Sequence, residues 1–505
     1  MPLKTFAAAA LVLLLVGGIV TYYYAGQEPG PLVKVVKPAA IGGGAVTLDI
    51  TVDSLGSTLR RLDVAIDQQG RVFRLFSLDA PGQARFTQET PDRIRVTQES
   101  PAAALTGLRD GPARLVVTAS RDVLFGVRRT ESVETRELAV RLSPPKLAVV
   151  SQHHYVNLGG AEMVVYRVTP ADATSGVQVG SRYYPGYPAA GAAAPPAQGA
   201  PPIDPALRVA FFALLHDDDL STPVRLVATD PAGNTAAAEF AYRAFSASFA
   251  RRRLPVDDAF FKKVVPPILE ATPALKMPVD TPEQRLEAFL KINGDVRRAN
   301  EAQVEELARG SSADRLWRGA FTRMGRAKSE AVFADYRTYV YDGRVIDQQV
   351  HLGADLASTR GAAITAANYG HVVFAGLLGI YGNCVVLDHG MGVQSLYGHL
   401  SGITVEVGDR INRGETIGRS GATGLAGGDH LHFTVLVAGH PVNPVEWWDP
   451  HWVADRVDRK LVEAGIMSPA EATKAPVAKP PAKKKAPAAR KAPPKKKAPA
   501  PRRNR

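Results

Sequence analysis

The sequence predicts a mainly β chain that begins with one membrane-crossing helix and is interrupted by one helical segment. Three observations lead to this prediction: an uncharged apolar stretch at residues 6–25, short β-branched runs between residues 45 and 247, and further closely spaced strand patterns after residue 330. Turn residues separate the β-branched runs about every ten positions, as in antiparallel β-sandwiches. At 505 residues, the chain has room for about three folded domains.

The apolar stretch, FAAAALVLLLVGGIVTYYYA, is long enough to cross a hydrocarbon core of about 30 Å as a helix. It ends in three tyrosines, a residue type that favours the membrane interface. A removed signal peptide is the alternative, since Lys4 gives a short basic region, but Tyr23 lies where cleavage favours a small residue. We therefore predict a single-pass anchor over residues 1–25 and a linker over residues 26–44, with the remainder on the extracytoplasmic side of the cell membrane.

The region of residues 45–247 contains runs such as AVTLDITVD, ARLVVTAS and AEMVVYRVT, and it predicts two β-sandwiches, over residues 45–145 and 146–250. The segment ATDPAGNTAAAEFAY, at residues 228–242, resembles the last hairpin of bacterial immunoglobulin-like domains. This resemblance implies immunoglobulin-like sandwiches. Pro, Gly and Ala dominate residues 183–202, which predicts a mobile loop between strands.

A helical connector is predicted over residues 251–330. Thr281, Pro282 and Gln284 occupy the cap, first and third positions of a helix start. Three apolar residues then recur on one helical face: Leu286, Phe289 and Leu290. We expect no catalytic group in this segment.

The net charge of +12 belongs to the C-terminal end of the chain. Residues 472–505 contain nine Lys, four Arg and no acidic residue, and the rest of the chain has 48 basic against 49 acidic residues. A nearly neutral body gives no basic face for a phosphate backbone, so we predict no specific nucleic-acid partner. Lys, Ala and Pro without large apolar residues predict a disordered tail over residues 456–505. The single cysteine, Cys384, excludes an intrachain disulfide and a Cys-rich zinc cluster.

Histidines mark the place to search for a metal site, because eight of the eleven lie between His351 and His451. His351 and Asp355 belong to HLGAD, a Gly-broken segment that favours loop or strand over helix. His399 ends a predicted strand in LYGHL. In HLHF, the period of a strand places both histidines on one face. Two His and one Asp suit a catalytic zinc, which takes three protein ligands.

These motifs resemble the lysostaphin-type (LytM-like) zinc endopeptidase domain. HLGAD, YGHL, VEVGDRINRGETIGRSGATG and GGDHLHF follow in family order within residues 345–447. The resemblance implies a peptidase domain over residues 331–455, with a lipoyl-like (barrel-sandwich hybrid) antiparallel β fold and its site in a groove. The family commonly has Pro before its H-x-H pair, where this chain has Asp429. That carboxylate either orients a catalytic histidine or is a loop residue that faces water.

The resemblance also implies the roles of five residues. His351, Asp355 and His432 match the ligands of one Zn²⁺, and His399 and His430 match the two catalytic histidines. In this family, zinc-bound water attacks the scissile carbonyl, with one histidine as base and the other as oxyanion stabiliser. We assign His399 as base and His430 as stabiliser, although the sequence does not separate the two roles.

The leading hypothesis is therefore a membrane-anchored zinc metalloendopeptidase that hydrolyses peptide cross-links of bacterial peptidoglycan. The alternative is a non-catalytic LytM-like scaffold or activator of other cell-wall hydrolases, in which one or more of the five positions is characteristically lost. A purely adhesive protein would account for the sandwiches but not for the histidines. We expect the basic tail to contact anionic wall polymers or lipids, and the helical connector to cover the groove.

Overall fold

Strands dominate the computed structural model, which describes residues 2–193 and 202–472. The prediction of a mainly β chain with an apolar N-terminal helix is confirmed. The basic tail beyond residue 472 and part of the predicted loop at residues 183–202 lie outside the described residues. The immunoglobulin-like and lipoyl-like assignments stay predictions.

The helices of the described residues fall into three groups: one at the N-terminus, three in the connector and four short ones at the C-terminal end. They are α1 Pro2–Ala25, α2 Asp258–Glu270, α3 Pro282–Lys291, α4 Arg297–Ala308, α5 Pro444–Trp448, α6 Pro450–Val453, α7 Arg459–Glu463 and α8 Pro469–Ala472. Within α1, residues Phe6–Ala25 are long and apolar enough to cross a membrane, which is compatible with an anchor and equally with a signal sequence. The cap predicted at Thr281 is present as a capping box with Gln284.

The first β unit is a sandwich of two antiparallel-rich sheets, with strand orders β1-β3-β7-β6 and β2-β9-β8-β4-β5 around one core. Its strands are β1 Leu32–Lys37, β2 Ala40–Gly42, β3 Ala45–Asp53, β4 Leu59–Gln68, β5 Arg71–Ser77, β6 Arg85–Thr90, β7 Arg93–Pro101, β8 Gly111–Val123 and β9 Arg128–Arg141. The linker predicted over residues 26–44 thus contains two strands, which corrects that prediction. The alternation in LVKVVK explains this, because Val33 and Val35 pack against the core.

The second β unit follows after residue 145 and shares its core with the C-terminal domain. Its strands are β10 Lys146–Val149, β11 His154–Asn157, β12 Gly160–Thr169, β13 Thr174–Val179, β14 Arg182–Pro185, β15 Tyr187–Pro188, β16 Leu207–Leu214, β17 Val224–Thr229, β18 Thr235–Glu239 and β19 Tyr242–Phe245. They form sheets β10-β12-β16-β15 and β14-β13-β17-β18 and the parallel pair β11-β19. The Phe211 ring lies 6.1 Å from Trp317 and 6.0 Å from Trp447, so aromatic packing joins the two units.

The C-terminal domain is built on an eight-stranded sheet, whose order is β21-β24-β32-β28-β27-β26-β30, with β33 beside β32. Two three-stranded sheets, β20-β22-β23 and β25-β31-β29, flank it. The strands are β20 Arg251–Pro255, β21 Lys328–Ala331, β22 Asp335–Tyr341, β23 Arg344–His351, β24 Ala354–Ala357, β25 Ala363–Thr365, β26 Gly370–Leu378, β27 Gly382–Gly390, β28 Val393–Leu400, β29 Gly402–Ile403, β30 Arg410–Ile411, β31 Thr416–Arg419, β32 Leu431–Val437 and β33 His440–Val442. The connector helices pack on this domain through Phe261 and Phe289, which contact Tyr339 and Tyr341.

The predicted start of the disordered tail is wrong, because residues 456–472 contain helices α7 and α8 and contribute to the shared core. Lys460, on α7, is completely buried, and its ammonium donates to Glu162 Oε1 at 2.6 Å and to the Met163 carbonyl at 2.8 Å. Val457 and Leu461 belong to the shared core. A buried Lys requires a partner from a distant segment, which composition alone does not reveal.

Candidate metal centre

Three neighbouring strands and one hairpin end bring the predicted site residues together. His351 is the last residue of β23, and after a short turn Asp355 lies on β24 directly opposite His432 on β32. His399 lies on β28, whose Gly398 faces His432 from the other side. His430 immediately precedes β32, in a bridge to residue 421. The expectation of strand or loop for HLGAD is confirmed.

Three ligand atoms of the buried residues His351, Asp355 and His432 converge on one point. His351 Nε2 lies 2.8 Å from Asp355 Oδ1 and 3.0 Å from His432 Nδ1, and His432 Nδ1 lies 3.0 Å from Asp355 Oδ1. These are the three residues that the sequence predicts as metal ligands.

Hydrogen bonds on the far sides of the His351 and His432 rings determine which nitrogen of each ring faces the cluster of ligand atoms. His351 Nδ1 donates to the Val332 carbonyl at 3.1 Å. The Thr434 hydroxyl donates to the Leu352 carbonyl at 3.0 Å, and it therefore accepts from His432 Nε2, also at 3.0 Å. Lone pairs then remain at His351 Nε2 and His432 Nδ1, beside a carboxylate oxygen.

Three acceptor atoms within 3.0 Å of one another, with no hydrogen between them, repel unless a cation lies among them. Two imidazole nitrogens and one carboxylate oxygen are the donor set of a catalytic zinc site that leaves a fourth position open. The residues present therefore fit Zn²⁺.

The second oxygen of Asp355 is held by an arginine that the sequence analysis did not single out. Arg337, on β22, donates from Nη2 to Asp355 Oδ2 at 3.1 Å and from Nε to Asp335 Oδ2 at 3.4 Å. The positive charge of Arg337 at this distance favours the ionised form of the Asp355 carboxyl group. Asp355 is therefore a carboxylate, as the metal-ligand role predicted for it requires.

The two predicted catalytic histidines lie side by side, with ring centroids 4.8 Å apart. His399 is buried and its Nδ1 donates to the Thr423 carbonyl at 2.8 Å, which leaves Nε2 as the acceptor. Burial, together with the neighbouring histidines, lowers the pKa of His399 well below its ordinary value. Its φ of +63° is a strained value for a non-Gly residue, a feature that is concentrated at functional sites.

His430 has the opposite electrostatic environment. Its Nδ1 donates to the Gly428 carbonyl at 2.8 Å, and its Nε2 lies 3.5 Å from Asp355 Oδ1. Burial opposes its charge, but the hydrogen bond and charge of Asp355 outweigh this and raise the pKa of His430. Asp429 does not orient this ring, because its Oδ1 accepts from the Ser420 hydroxyl and its Oδ2 from the Gly361 amide. That carboxylate fixes the loop before the histidine pair.

All five predicted residues line one cavity of about 130 Å³. Its walls also include residues that sequence analysis missed: Arg297, Arg337, Tyr339, Gln349 and Tyr381. The Tyr381 ring lies 5.5 Å from that of His432. Thr434 was predictable, because it follows His432 by two positions on a strand and so shares its face. The same signal applies to Gln349, which precedes His351 by two positions on β23, whereas the remaining wall residues come from separate segments that no short motif connects.

Comparisons with known proteins agree with this geometry. Residues 349–444 match the model of Peptidase family M23. The chain is 41% identical over 97 residues to the DD-carboxypeptidase/endopeptidase Mpg of Neisseria meningitidis, over 19% of this chain and 22% of that protein. It is 40% identical over 96 residues to the peptidoglycan DD-endopeptidase ShyA of Vibrio cholerae, over 19% and 22%.

A third relative has a different description. The chain is 35% identical over 95 residues to the murein hydrolase activator EnvC of Escherichia coli, over 19% of this chain and 23% of that protein. The chain thus spans about a fifth of the length of each of these curated relatives. With the motif order, the convergent ligand atoms and the family match, the C-terminal part of the chain is a peptidase M23 (LytM-like) domain.

Proposed function

We propose that this protein is a zinc-dependent metalloendopeptidase that hydrolyses peptide cross-links of bacterial peptidoglycan. The observation that carries the proposal is the cluster of three facing acceptor atoms, with two further histidines in the same cavity. The peptidoglycan endopeptidases among its relatives support the substrate class. Bound zinc supplies Lewis acidity toward the scissile carbonyl and acidifies a water molecule.

The two catalytic histidines have the protonation preferences that their proposed roles require. A lowered pKa keeps His399 neutral, with an available acceptor at Nε2, as a general base requires. A raised pKa favours a proton on His430 Nε2, as a donor to a developing oxyanion requires. These environments support His399 as base and His430 as stabiliser, with Arg337 as the residue that orients Asp355.

We further propose that α1 anchors the chain as a single-pass helix and that the catalytic domain lies on the extracytoplasmic side. The 20 apolar residues of Phe6–Ala25 support this, and none of them is charged. A substrate in the cell wall requires the same side. If α1 is instead a cleaved signal, the mature protein is found in the soluble extracytoplasmic fraction with its N-terminus beyond Ala25.

A second candidate function, a non-catalytic activator of other cell-wall hydrolases, is favoured by the resemblance to EnvC. Under this alternative the domain binds a partner and neither holds metal nor cleaves peptide. The intact set of three ligands and two cavity histidines supports the enzyme instead.

The test is to purify the full chain in detergent, measure its zinc content, and assay release of soluble fragments from purified peptidoglycan. We expect one zinc per chain, cleavage by the wild type, and loss of both in His432→Ala. His451→Ala removes an exposed histidine outside the cavity and should match the wild type. A metal-free wild type that releases nothing by itself, but stimulates a second hydrolase, would overturn the proposal in favour of the activator.

A further inference from the structure

One wall of the metal cavity comes from the helical connector, outside the region that matches the M23 family. Arg297, the first residue of α4, lines this cavity together with the five predicted residues. It follows directly on the π-helical turn Ile292–Val296. Such turns are rare and occur often at functional sites, because the extra residue redirects the side chains that follow.

The guanidinium of Arg297 is held in place by a buried polar relay. Its Nη2 donates to Asn293 Oδ1 at 2.6 Å and its Nε donates to the Asn293 carbonyl at 3.2 Å. The Asn293 side chain is completely buried and donates to Asp347 Oδ2, on β23, at 2.7 Å. A buried amide with a defined partner on each side fixes the orientation of the arginine before any ligand arrives.

The two arginines of the cavity differ in charge compensation. Arg337 forms ion pairs with Asp335 and Asp355. Among residues 2–193 and 202–472, no carboxylate lies within the 4.0 Å ion-pair distance of Arg297, although its charge acts on the Glu301 carboxylate one turn along α4. Arg297 is therefore an oriented cation with donors left for a ligand, and guanidinium groups bind carboxylates preferentially through paired hydrogen bonds.

We propose that Arg297 binds a carboxylate of the substrate peptide and so selects peptides with a free carboxylate close to the scissile bond. This inference rests on the proposed function, because it names the substrate group that the same cavity recognises. It gives the helical connector a role in specificity rather than in chemistry.

The test uses a labelled D-alanyl-D-alanine peptide with a free C-terminal carboxylate and the same peptide as its C-terminal amide. Both kcat/KM and the dissociation constant, from fluorescence anisotropy, are measured for each peptide. We expect the wild type to prefer the free acid by about tenfold or more, as for a hydrogen bond to a charged group. Arg297→Met should lose this preference, and Arg297→Lys should keep part of it.

Arg298→Met, one position along the same helix and exposed, is the matched control and should keep the wild-type ratio. Equal ratios in the wild type and Arg297→Met, by either readout, would overturn the inference. If the proposed function is wrong, neither peptide is cleaved. The dissociation constants of the two peptides then still show whether Arg297 binds the carboxylate.

A second, independent observation concerns the tip of the β8–β9 hairpin. Phe125 is fully exposed there and Val127 is 69% exposed, although both are large apolar residues. Leu124 and Phe125 have φ values of +50° and +55°, which are strained for residues with a Cβ. A strained turn that presents an aromatic ring to the outside favours a contact that the isolated chain does not provide.

This tip lies beside the end of α1. The guanidinium of Arg128 is 4.5 Å from the centroid of the Tyr22 ring and donates to the Tyr22 and Tyr23 carbonyls. The chain that leaves the helix is tied to the same hairpin, because Arg121 Nε donates to the Pro29 carbonyl at 3.0 Å. These contacts hold the hairpin tip beside the C-terminal end of α1. If that end lies at the membrane interface, the tip lies at the same depth.

We propose that this hairpin tip, residues 124–129, inserts into the membrane interface next to α1. Phe125 and Val127 provide apolar side chains of the type that enter this zone. The exposed guanidinium of Arg129 pairs with Asp122 through Nε and has its other donors left for anionic headgroups. The tip then fixes the orientation of the first β unit on the bilayer.

The test places an environment-sensitive fluorophore on Phe125→Cys in the full chain, reconstituted in vesicles of phosphatidylglycerol and phosphatidylethanolamine. Cys384 is replaced by Ala, so that one thiol remains. We expect the fluorescence emission of the probe to shift to the blue and to be quenched by brominated lipids. Both effects should be weaker in purely zwitterionic vesicles. Val72→Cys, an exposed apolar position on the same β unit, is the matched control and should report water.

A Phe125 probe that reports water, in a sample where a probe at Leu15 reports lipid, would overturn the inference. If the Leu15 probe also reports water, the anchor proposal fails with it. Thermal unfolding of each labelled protein excludes a misfolded variant as the cause.

Discussion

Substitution of Thr434 by Val isolates the hydrogen bond that orients one metal ligand. The hydroxyl accepts from His432 Nε2 and donates to the Leu352 carbonyl, each at 3.0 Å. Valine has nearly the same shape but replaces the hydroxyl by a methyl group, so both hydrogen bonds are lost while the packing volume is kept. Thr434 does not line the cavity, so the change acts through His432.

The expected size of the effect follows from the buried imidazole. An unsatisfied buried donor costs about 1–3 kcal/mol. Without an acceptor at Nε2, the neutral ring of His432 favours its proton on Nδ1, which faces Asp355 at 3.0 Å and must lose that proton to bind metal. We therefore expect zinc to bind about 10–100-fold more weakly, the range found when groups that orient metal ligands are removed.

The measurement is the zinc dissociation constant, from competition with a fluorescent chelator at neutral pH. Thr434→Ser keeps the hydroxyl and should bind zinc nearly as the wild type does, whereas Thr416→Val, on β31 outside the cavity, should have no effect. If Thr434→Val binds zinc as tightly as Thr434→Ser, the proposed control of the tautomer by this hydroxyl is refuted.

Three further predictions concern the packing of the units and the tail. Lys460→Met removes the close cation of the completely buried Glu162 and leaves only Arg456, at 3.9 Å, so it should lower the free energy of unfolding in urea by about 3 kcal/mol. Addition of Glu162→Leu should restore most of this loss. Burial raises the pKa of Glu446 from 4.5 to about 7, so its protonated form stabilises the fold below pH 4.5 and this stabilisation is lost as the pH rises to about 7. The stability of the wild type relative to Glu446→Gln should therefore fall by about 3 kcal/mol over that window, and a flat difference would contradict the assignment. Deletion of residues 473–505 should weaken salt-sensitive sedimentation with cell wall or anionic vesicles and leave hydrolysis of a small peptide unchanged, and loss of that hydrolysis would show that the tail has another role.

The chemistry of the site was predictable because it lies in short-range patterns. Period-two alternation places His432 and Thr434 on one face of a strand, and the Gly-broken HLGAD brings His351 and Asp355 to adjacent strand ends. The relative placement of these strands came from the family resemblance, since periodicity alone does not pair β24 with β32.

The walls of the site were mostly not predictable, because apart from Gln349 they come from segments outside the motifs. Arg297 lies on a helix whose pattern shows an ordinary amphipathic surface, and only packing on the sheet turns it toward the cavity. The same reason explains the misplaced start of the tail. Lys460 lies in a charged, helix-compatible stretch, and its burial depends on Glu162, almost 300 residues earlier.

The contacts between the units limit where the protein can bend. The second β unit and the C-terminal domain share one core, and the Lys460–Glu162 pair crosses the same boundary without exposure to water. The first β unit has a separate core and meets the second through polar contacts, including Arg141 with Asp172 and with Asn234. Exposed ion pairs are worth little and apolar cores resist shear, so we expect bending at the short connection after β9. If α1 and the hairpin tip hold the first β unit on the membrane, motion at this one joint sets the distance at which the metal cavity reaches its substrate.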